Sequence, residues 1–183
     1  MRTTARIPSL KTNGREKPTI VQILPNLVAG GVERGTVDIA RSIQEHGGRA
    51  IVVSNGGPLV RHIERCGGVH YKLDVHSKNP FRWLSIRRKL KVILEKENAS
   101  LIHVRSRAPG WIALPVAKEM GLPSVATIHG RFIASNIIKR FYNAKILTAD
   151  MIIVISDYIR HVVTTQFKGK EKRLTVVHRG VDT

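Results

Sequence analysis

Short apolar stretches alternate with longer amphipathic ones along most of the chain. Runs rich in β-branched residues, such as TIVQIL at 19–24, predict strands. Between them apolar residues recur at helical spacing, as Ile39, Ala40 and Ile43 do in the first such stretch. The pattern predicts seven strands, at 19–24, 50–54, 69–73, 101–105, 124–128, 151–155 and 174–177, and six helices, at 32–46, 59–66, 81–97, 109–120, 136–148 and 157–167.

Several of these strands are apolar at nearly every position, which is typical of strands covered on both faces. The sequence therefore predicts an α/β fold with a doubly wound, mostly parallel, Rossmann-like sheet. Ligands of such sheets bind in the crevice at the carboxyl ends of the strands. The loops that follow the strands are thus the places to look for a functional site.

Gly30 and Gly31 occupy the first of these loops. A dinucleotide fingerprint is excluded because Val32 stands where its next glycine is needed, and a P-loop is excluded because Thr36 replaces the lysine. Two interpretations remain: an anion-binding loop before a helix N-terminus, or a plain turn. Glu33 is interpreted as a first-turn carboxylate that complements the helix dipole.

The length of 183 residues suits one domain with a full core, and no apolar run approaches the roughly 20 residues that cross a bilayer. Residues 1–18 are basic and lack the apolar region of a secretory signal, so we expect a disordered tail. Cys66 is the only cysteine, which excludes an intramolecular disulfide and fits a reducing cytosol. Six of the eight histidines show no metal-ligand spacing: His46, His62, His70, His76, His161 and His178.

The net charge of +18 comes from 31 Lys and Arg residues against 13 Asp and Glu residues. Nucleic acid, an anionic membrane leaflet or a phosphorylated glycolipid would each attract such a chain. A nucleic-acid-binding protein is the main alternative from another class. It is not favoured, because the basic residues are spread over many elements and no helix-turn-helix, zinc finger or RNP-like motif is present.

Four segments together resemble glycosyltransferases of family 4, which have the GT-B fold. GGVER at 30–34 resembles the loop after their first strand, and Thr127-Ile128-His129-Gly130 resembles a strand end. Val154-Ile155-Ser156 resembles the start of a later helix, and VHRGVD at 177–182 resembles the passage to a second domain, with Arg179 in place of the usual Asn. The chain is thus identified as the N-terminal half of a GT-B fold, with a domain at 19–178 and an interdomain linker beginning at 179–183.

The resemblance implies a hexosyltransferase that uses a nucleotide sugar, retains the anomeric configuration and needs no metal or other cofactor. It implies a lipid-linked or lipopolysaccharide-type acceptor. The second domain, which carries most of the donor site in this family, is expected to be missing here and to come from a separate chain if the enzyme is split. A non-catalytic remnant is a further alternative.

The resemblance also suggests roles for residues at the strand ends. Gly30 and Gly31 would lie against the donor sugar and diphosphate, where a side chain would clash. His129 would contact the transferred sugar and stabilise charge at the reacting centre. Two arginines flank a serine after the fourth strand, where an acceptor would enter, and could bind its phosphate or carboxylate or simply be solvated: Arg105, Ser106 and Arg107.

Two predicted helices, at 81–97 and 136–148, mix basic and apolar residues. Such helices can lie on anionic lipid headgroups or can be ordinary surface helices. We expect the second to contact the membrane, through Lys139, Arg140 and Lys145. The expected location is cytoplasmic, peripheral at the inner face of the cytoplasmic membrane. His103 is expected to pack in its strand, and Ser156 to cap the helix after it.

Overall fold

The computed structural model describes residues 17–77, 79–130, 132, 135–167 and 173–178. Most of the predicted tail and all of the predicted linker at 179–183 lie outside them. In chain order the described elements are β1 (Thr19–Ile23), α1 (Gly31–Glu45), β2 (Arg49–Ser54), α2 (Val60–Arg65), β3 (Val69–Lys72), α3 (Pro80–Lys96), β4 (Leu101–Val104), α4 (Arg107–Met120), β5 (Ser124–Ile128), α5 (Ile137–Ala144), a 3-10 turn (Ile146–Thr148), β6 (Met151–Val154), α6 (Asp157–Gln166) and β7 (Leu174–Val176).

The seven strands form one parallel sheet in the order β3-β2-β1-β4-β5-β6-β7. The predicted α/β, doubly wound class is confirmed. Successive strands run outward from β1 to β3, and the chain then returns to place β4 on the other side of β1. The strand order therefore reverses between β1 and β4, and ligands of open α/β sheets bind outside the carboxyl ends of the strands at such a reversal.

Side chains of alternate strand residues enter two separate parts of the core. Ala50 and Val52 of β2 pack toward α1 and α2, whereas Ile51 and Val53 pack in the larger cluster that contains buried residues of α3 and α4. This alternation is the period-two geometry of a strand. Both faces of the sheet are covered, which explains the almost uninterrupted apolar strands.

Local sequence fixes where the helices begin and end. Asn136 accepts a hydrogen bond from the backbone N–H of Lys139, and Ser156 accepts one from that of Ile159, as predicted for Ser156. Gly121 ends α4 in the left-handed conformation, with φ of 63°. The Asn136 and Ser156 caps lie in loops at the carboxyl edge of the sheet, whereas Gly121 leads into β5 at the opposite edge.

A proline inside α4 leaves a backbone carbonyl of this helix free to accept a hydrogen bond from α3. Pro115 has no N–H, so the carbonyl of Trp111 one turn earlier lacks its usual helical donor. Nη2 of Arg87 in α3 donates to that carbonyl at 2.8 Å. The ring of Trp83 also lies 5.8 Å from that of Trp111, so α3 and α4 form one continuous layer.

Candidate functional site

A cavity of about 260 Å³ opens at the carboxyl edge of the sheet, beside the reversal between β1 and β4. It brings together residues that the sequence separates by more than a hundred positions. Its lining comes from the first turn of α1, the β4–α4 junction, the end of β5 with the loop that follows, and the 3-10 turn: Val32, Arg105, Ser106, Arg107, Thr127, Ile128, His129, Gly130, Phe132 and Ile146.

Arg105 follows β4 directly and is only 3% exposed. Its backbone N–H donates to the carbonyl of Ile23 in β1, so it continues the sheet and is not part of an exposed loop. Its Nη1 donates to Oε1 of Gln22 in β1 at 3.1 Å. Nε2 of Gln22 in turn donates to the carbonyl of Thr36 in α1 at 3.0 Å. A buried chain of hydrogen bonds thus fixes the guanidinium where it lines the cavity.

Ser106 and Arg107 begin α4. The Ser106 hydroxyl makes no capping hydrogen bond to the helix, and the residue is half-buried in the cavity wall. Arg107 is exposed, and its Nη1 donates to Oδ1 of Asn143 in α5 at 3.0 Å. The junction between β4 and α4 therefore presents Arg105, Ser106 and Arg107 to the cavity, and the dipole of α4 adds positive potential there.

His129 and Gly130 follow β5 and form another part of the wall. His129 is half-buried and Gly130 is exposed. A Cβ atom built on Gly130 would meet no other described atom within 4 Å. The described residues therefore leave room for a side chain at Gly130.

His103 lies in β4, as expected for a packing residue, and is buried beside the cavity wall. Its Nε2 is hydrogen-bonded to Oγ1 of Thr127, which lines the cavity, at 2.7 Å. Burial, together with the charges of Arg105 and His129, lowers the pKa of His103 from 6.5 to about 3. The imidazole of His103 is therefore neutral at physiological pH.

Gly30 and Gly31 border the cavity through their neighbour Val32 and do not line it themselves. Gly30 has φ of 130° and ψ of 171°, a conformation that only glycine adopts readily. Gly31 is the exposed first residue of α1, and Glu33 lies in its first turn as predicted. The backbone dihedral angles at this position are therefore sufficient to explain why residue 30 is a glycine, without a ligand.

The loop between β1 and α1 is held by the backbone of the next strand-exit loop. The N–H of Leu27 donates to the carbonyl of Gly56 at 2.8 Å, and the N–H of Leu59 donates to the carbonyl of Leu27 at 2.9 Å. A Cβ atom on Gly57 would clash with the carbonyl oxygen of Leu27. The sequence pattern did not reveal this close approach. It fixes the backbone of the loop between β1 and α1, which contains Gly30, against the loop that follows β2.

The residues predicted to face a membrane lie on and just after α5, outside the cavity. Lys139 and Arg140 are exposed, and the Arg140 guanidinium lies 5.6 Å from the centre of the Phe167 ring. Lys145 is half-buried, with Nζ 5.8 Å from the centre of the Trp111 ring. Burial and the nearby charges of Arg87 and Lys118 lower the pKa of Lys145.

The described residues provide neither a cluster of metal ligands nor a membrane-spanning helix. No group of three or more His, Cys, Asp or Glu side chains in the described ranges is arranged to hold a metal ion. No helix within those ranges combines the length and apolarity that crossing a bilayer requires.

Residues 29–183 match the sequence profile of Glycosyltransferase Family 4. The chain belongs to this family. The resemblance drawn from the four motifs is therefore confirmed. No curated protein matches the chain.

Solved structures share the fold of this chain. A glycosyltransferase from Rickettsia africae ESF-5 is 33% identical and matches with a TM-score of 0.80, over 91% of this chain and 44% of that one. Anabaena HepE, solved in complex with UDP-glucose, is 16% identical, with a TM-score of 0.73 over 90% of this chain and 44% of its own.

Sucrose-phosphate synthase from Thermosynechococcus elongatus is 14% identical, with a TM-score of 0.69 over 91% of this chain and 49% of its own. At these low identities the Anabaena and Thermosynechococcus matches show the fold alone. The family 4 chain spans less than half the length of each of the three solved proteins.

Proposed function

We propose that this chain is the acceptor-side domain of a retaining glycosyltransferase, which moves a hexosyl group from a nucleotide sugar to a lipid-linked or lipopolysaccharide-type acceptor. Family membership supports the reaction class. The observation that carries the proposal is the convergence of Arg105, Arg107 and His129 on one cavity at the strand-order reversal. A site of this kind suits a substrate that develops negative charge.

In the proposed reaction the bond between the anomeric carbon and the donor diphosphate breaks. The anomeric carbon then bonds to an acceptor hydroxyl oxygen on the same face of the sugar, and the hydroxyl proton passes to the departing diphosphate or to water. Negative charge grows on the departing diphosphate, a phosphate of the acceptor is charged throughout, and arginine forks bind such groups in a bidentate way. We propose that Arg105 and Arg107 bind the acceptor with Ser106 and that no metal ion takes part.

His129 would contact the transferred sugar from the end of β5. The residue is half-buried beside Gly130, where the structure leaves space for a ligand. A polar side chain preorganised in such a wall stabilises charge without having to reorient during the reaction. We therefore assign it the catalytic role, with Gly30 and Gly31 approaching the donor through their backbone.

We propose that the cavity forms one wall of a cleft, a proposal supported by solved relatives that are more than twice as long as the match. We propose that residues outside this chain, on a separate polypeptide or a continuation of this one, supply the nucleotide pocket. Catalysis requires the groups of both walls to meet one transition state. Alone, the 183-residue chain should fold and bind a nucleotide sugar weakly, without turnover, which calorimetry and a turnover assay on the purified chain would measure.

A cytoplasmic location at the inner membrane face would bring the cavity to a lipid-linked acceptor. On α5, Ile137 is 82% exposed and Phe141 is 70% exposed, next to Lys139 and Arg140. Residues 135–149 contain no Asp or Glu. An apolar and cationic helix of this kind favours an anionic lipid surface, and the bond from Arg107 to Asn143 joins it to the cavity wall.

The proposal is tested by joining the chain to the second domain of a family 4 glycosyltransferase and supplying labelled nucleotide sugars with a bacterial lipid extract. The expected result is label in the lipid fraction, with the donor's anomeric configuration in the product by NMR. Inversion would overturn the retaining mechanism, and absence of transfer from any nucleotide sugar would overturn the activity.

The same assay tests the role of His129. His129→Ala should lower kcat by about a hundredfold or more, while the urea midpoint of unfolding changes little. His161→Ala, at an exposed position on α6, is the matched control and should keep full activity. Near wild-type kcat in His129→Ala would remove this residue from the site.

A further inference from the structure

A second cleft, of about 440 Å³, lies at the same edge of the sheet as the cavity but on the other side of β1. It follows the carboxyl ends of β2 and β3, and the first half of α3 forms its other side. Its volume falls in the range of small-molecule sites, about 300–1,000 Å³. The catalytic groups proposed above do not use it.

One face of α3 enters this cleft. Phe81, Ser85 and Lys89 are spaced four residues apart, so they project from the same side of the helix. Beneath them Ile86 and Leu73 are buried and form an apolar floor. Polar side chains of Asn55, Lys72, Asp74 and Arg82 complete the lining, so the cleft is apolar at its base and polar at its rim.

Phe81 lies at the mouth of the cleft with 93% of its surface exposed. Its ring makes no aromatic contact with another described residue. An aromatic side chain that lines a cleft together with a few hydrogen-bonding groups is the usual composition of a small-molecule site. A pyranose ring matches it, because the C–H-lined face of the sugar is apolar and its edge carries hydroxyls that Asn55 and Ser85 can bond.

The charge at the rim adds a second requirement. Lys72, Arg82 and Lys89 border the cleft, with Asp74 as the carboxylate among its lining residues. Asp74 already contacts Nη1 of Arg82 at 3.5 Å and Nδ1 of His76 at 3.2 Å. Neither Lys72 nor Lys89 has a carboxylate within 4.0 Å among the described residues, so their charge is available to an anion.

We propose that this cleft binds a saccharide unit of the acceptor that carries a phosphate or carboxylate group, an inference that rests on the proposed function. The cleft and the cavity are separated by three strand spacings, or about 14 Å. The reacting hydroxyl would lie in the cavity and the anionic unit in the cleft. The acceptor is therefore longer than one sugar, and the cleft selects it by its remote end.

Binding is tested on the ¹⁵N-labelled chain by NMR titration with glucose 6-phosphate, glucuronate, methyl glucoside and inorganic phosphate. The expected result is that an anionic sugar shifts the amide signals of Ser85 and Lys89 more than those of His129 and Gly130. Comparison of the first two probes separates phosphate from carboxylate. Equal shifts for methyl glucoside would overturn the anionic requirement, and absence of shifts at α3 would overturn the site.

Two variants separate the sugar contact from the charge contact. Lys89→Gln should weaken binding of the sugar anion and of inorganic phosphate, by about tenfold for the loss of one charge-assisted hydrogen bond. Phe81→Ala should weaken the sugar anion but not inorganic phosphate. Leu84→Ala and Arg88→Gln, exposed on α3 outside the cleft, are matched controls and should bind normally. If Arg88→Gln lost as much affinity for inorganic phosphate as Lys89→Gln, anion binding would depend on overall charge and not on the cleft.

The two proposals fail in different ways. If the two-domain enzyme transfers sugar but Phe81→Ala and Lys89→Gln leave the KM for acceptor unchanged, the cleft assignment is wrong and the proposed function stands. If transfer is absent while the sugar anion still binds at α3 with the stated selectivity, the proposed function is wrong. The cleft would then be a saccharide-binding site in a protein with a different activity.

Discussion

Nε2 of His103 and Oγ1 of Thr127 are 2.7 Å apart, which links β4 to β5 under the wall of the cavity. His103 is buried, and its pKa is lowered to about 3. The folded protein therefore excludes a proton that the unfolded chain accepts near pH 6.5. Stability from this residue is fully present above pH 6.5 and decreases as the pH falls toward 3.

We predict that the free energy of unfolding falls between pH 7.5 and pH 5.5, by about 1.4 kcal/mol for His103 alone. His70, whose pKa is lowered chiefly by burial, acts in the same direction. His103→Gln keeps a hydrogen-bonding side chain but cannot titrate. Between pH 7.5 and pH 5.5 its free energy of unfolding should therefore fall by about 1.4 kcal/mol less than that of the wild type. Urea unfolding at the two pH values measures the difference, and parallel pH profiles for both proteins would contradict the assignment.

The second prediction concerns Gly30, whose φ and ψ lie in a region essentially restricted to glycine. Gly30→Ala should reduce the free energy of unfolding by about 1–3 kcal/mol. The added Cβ would also lie 2.7 Å from Oε2 of Glu33, but this carboxylate ends a flexible side chain and can move away. The double variant Gly30→Ala, Glu33→Ala should therefore be as unstable as the single variant Gly30→Ala. Full recovery in urea unfolding would show that the clash, not the backbone, dominates.

Gly130 is predicted to behave in the opposite way. A Cβ atom there meets nothing described within 4 Å, so Gly130→Ala should leave the unfolding midpoint close to that of the wild type. In the two-domain enzyme the methyl group would occupy ligand space and raise KM or lower kcat. Steady-state kinetics alongside urea unfolding make the comparison. Unchanged kinetics would show that the ligand does not approach this part of the wall.

Most of the fold could be predicted because each strand is a short run rich in apolar residues and each helix has its own apolar spacing. The start of α4 was predicted at Pro109, a residue favoured at the first helical position, but the helix begins at Arg107. Pro109 is tolerated in the first turn, where backbone N–H groups have no helical acceptor. Such boundaries depend on tertiary packing as well as on local sequence.

The candidate site was predictable where strand ends supply it, as with His129 and Arg107. The bond between Arg105 and Gln22 joins residues 83 positions apart, and no local pattern reveals it. The cleft at Phe81 was missed for a related reason. Sequence alone shows α3 as a basic amphipathic helix, and only the topology places its first turns beside the ends of β2 and β3.

The last prediction concerns α5 as a membrane surface. Lys139 and Arg140 should each contribute about 1 kcal/mol to binding anionic vesicles, so Lys139→Gln, Arg140→Gln should bind roughly thirtyfold more weakly. Ile137→Ser, Phe141→Ser should also lose binding, because these exposed side chains would enter the interface. Cosedimentation with phosphatidylglycerol vesicles, and with phosphatidylcholine vesicles as the neutral comparison, measures both effects.

Two further variants remove the same charge and apolar area from elsewhere on the surface. Arg61→Gln, Arg160→Gln removes two exposed cations from α2 and α6, and Val92→Ser removes an exposed apolar side chain from α3. With a net charge of +18, any basic surface attracts anionic lipid to some extent, so these controls isolate the contribution of α5. If the Arg61, Arg160 variant lost as much affinity as the Lys139, Arg140 variant, binding would depend on overall charge and α5 would not be the membrane surface.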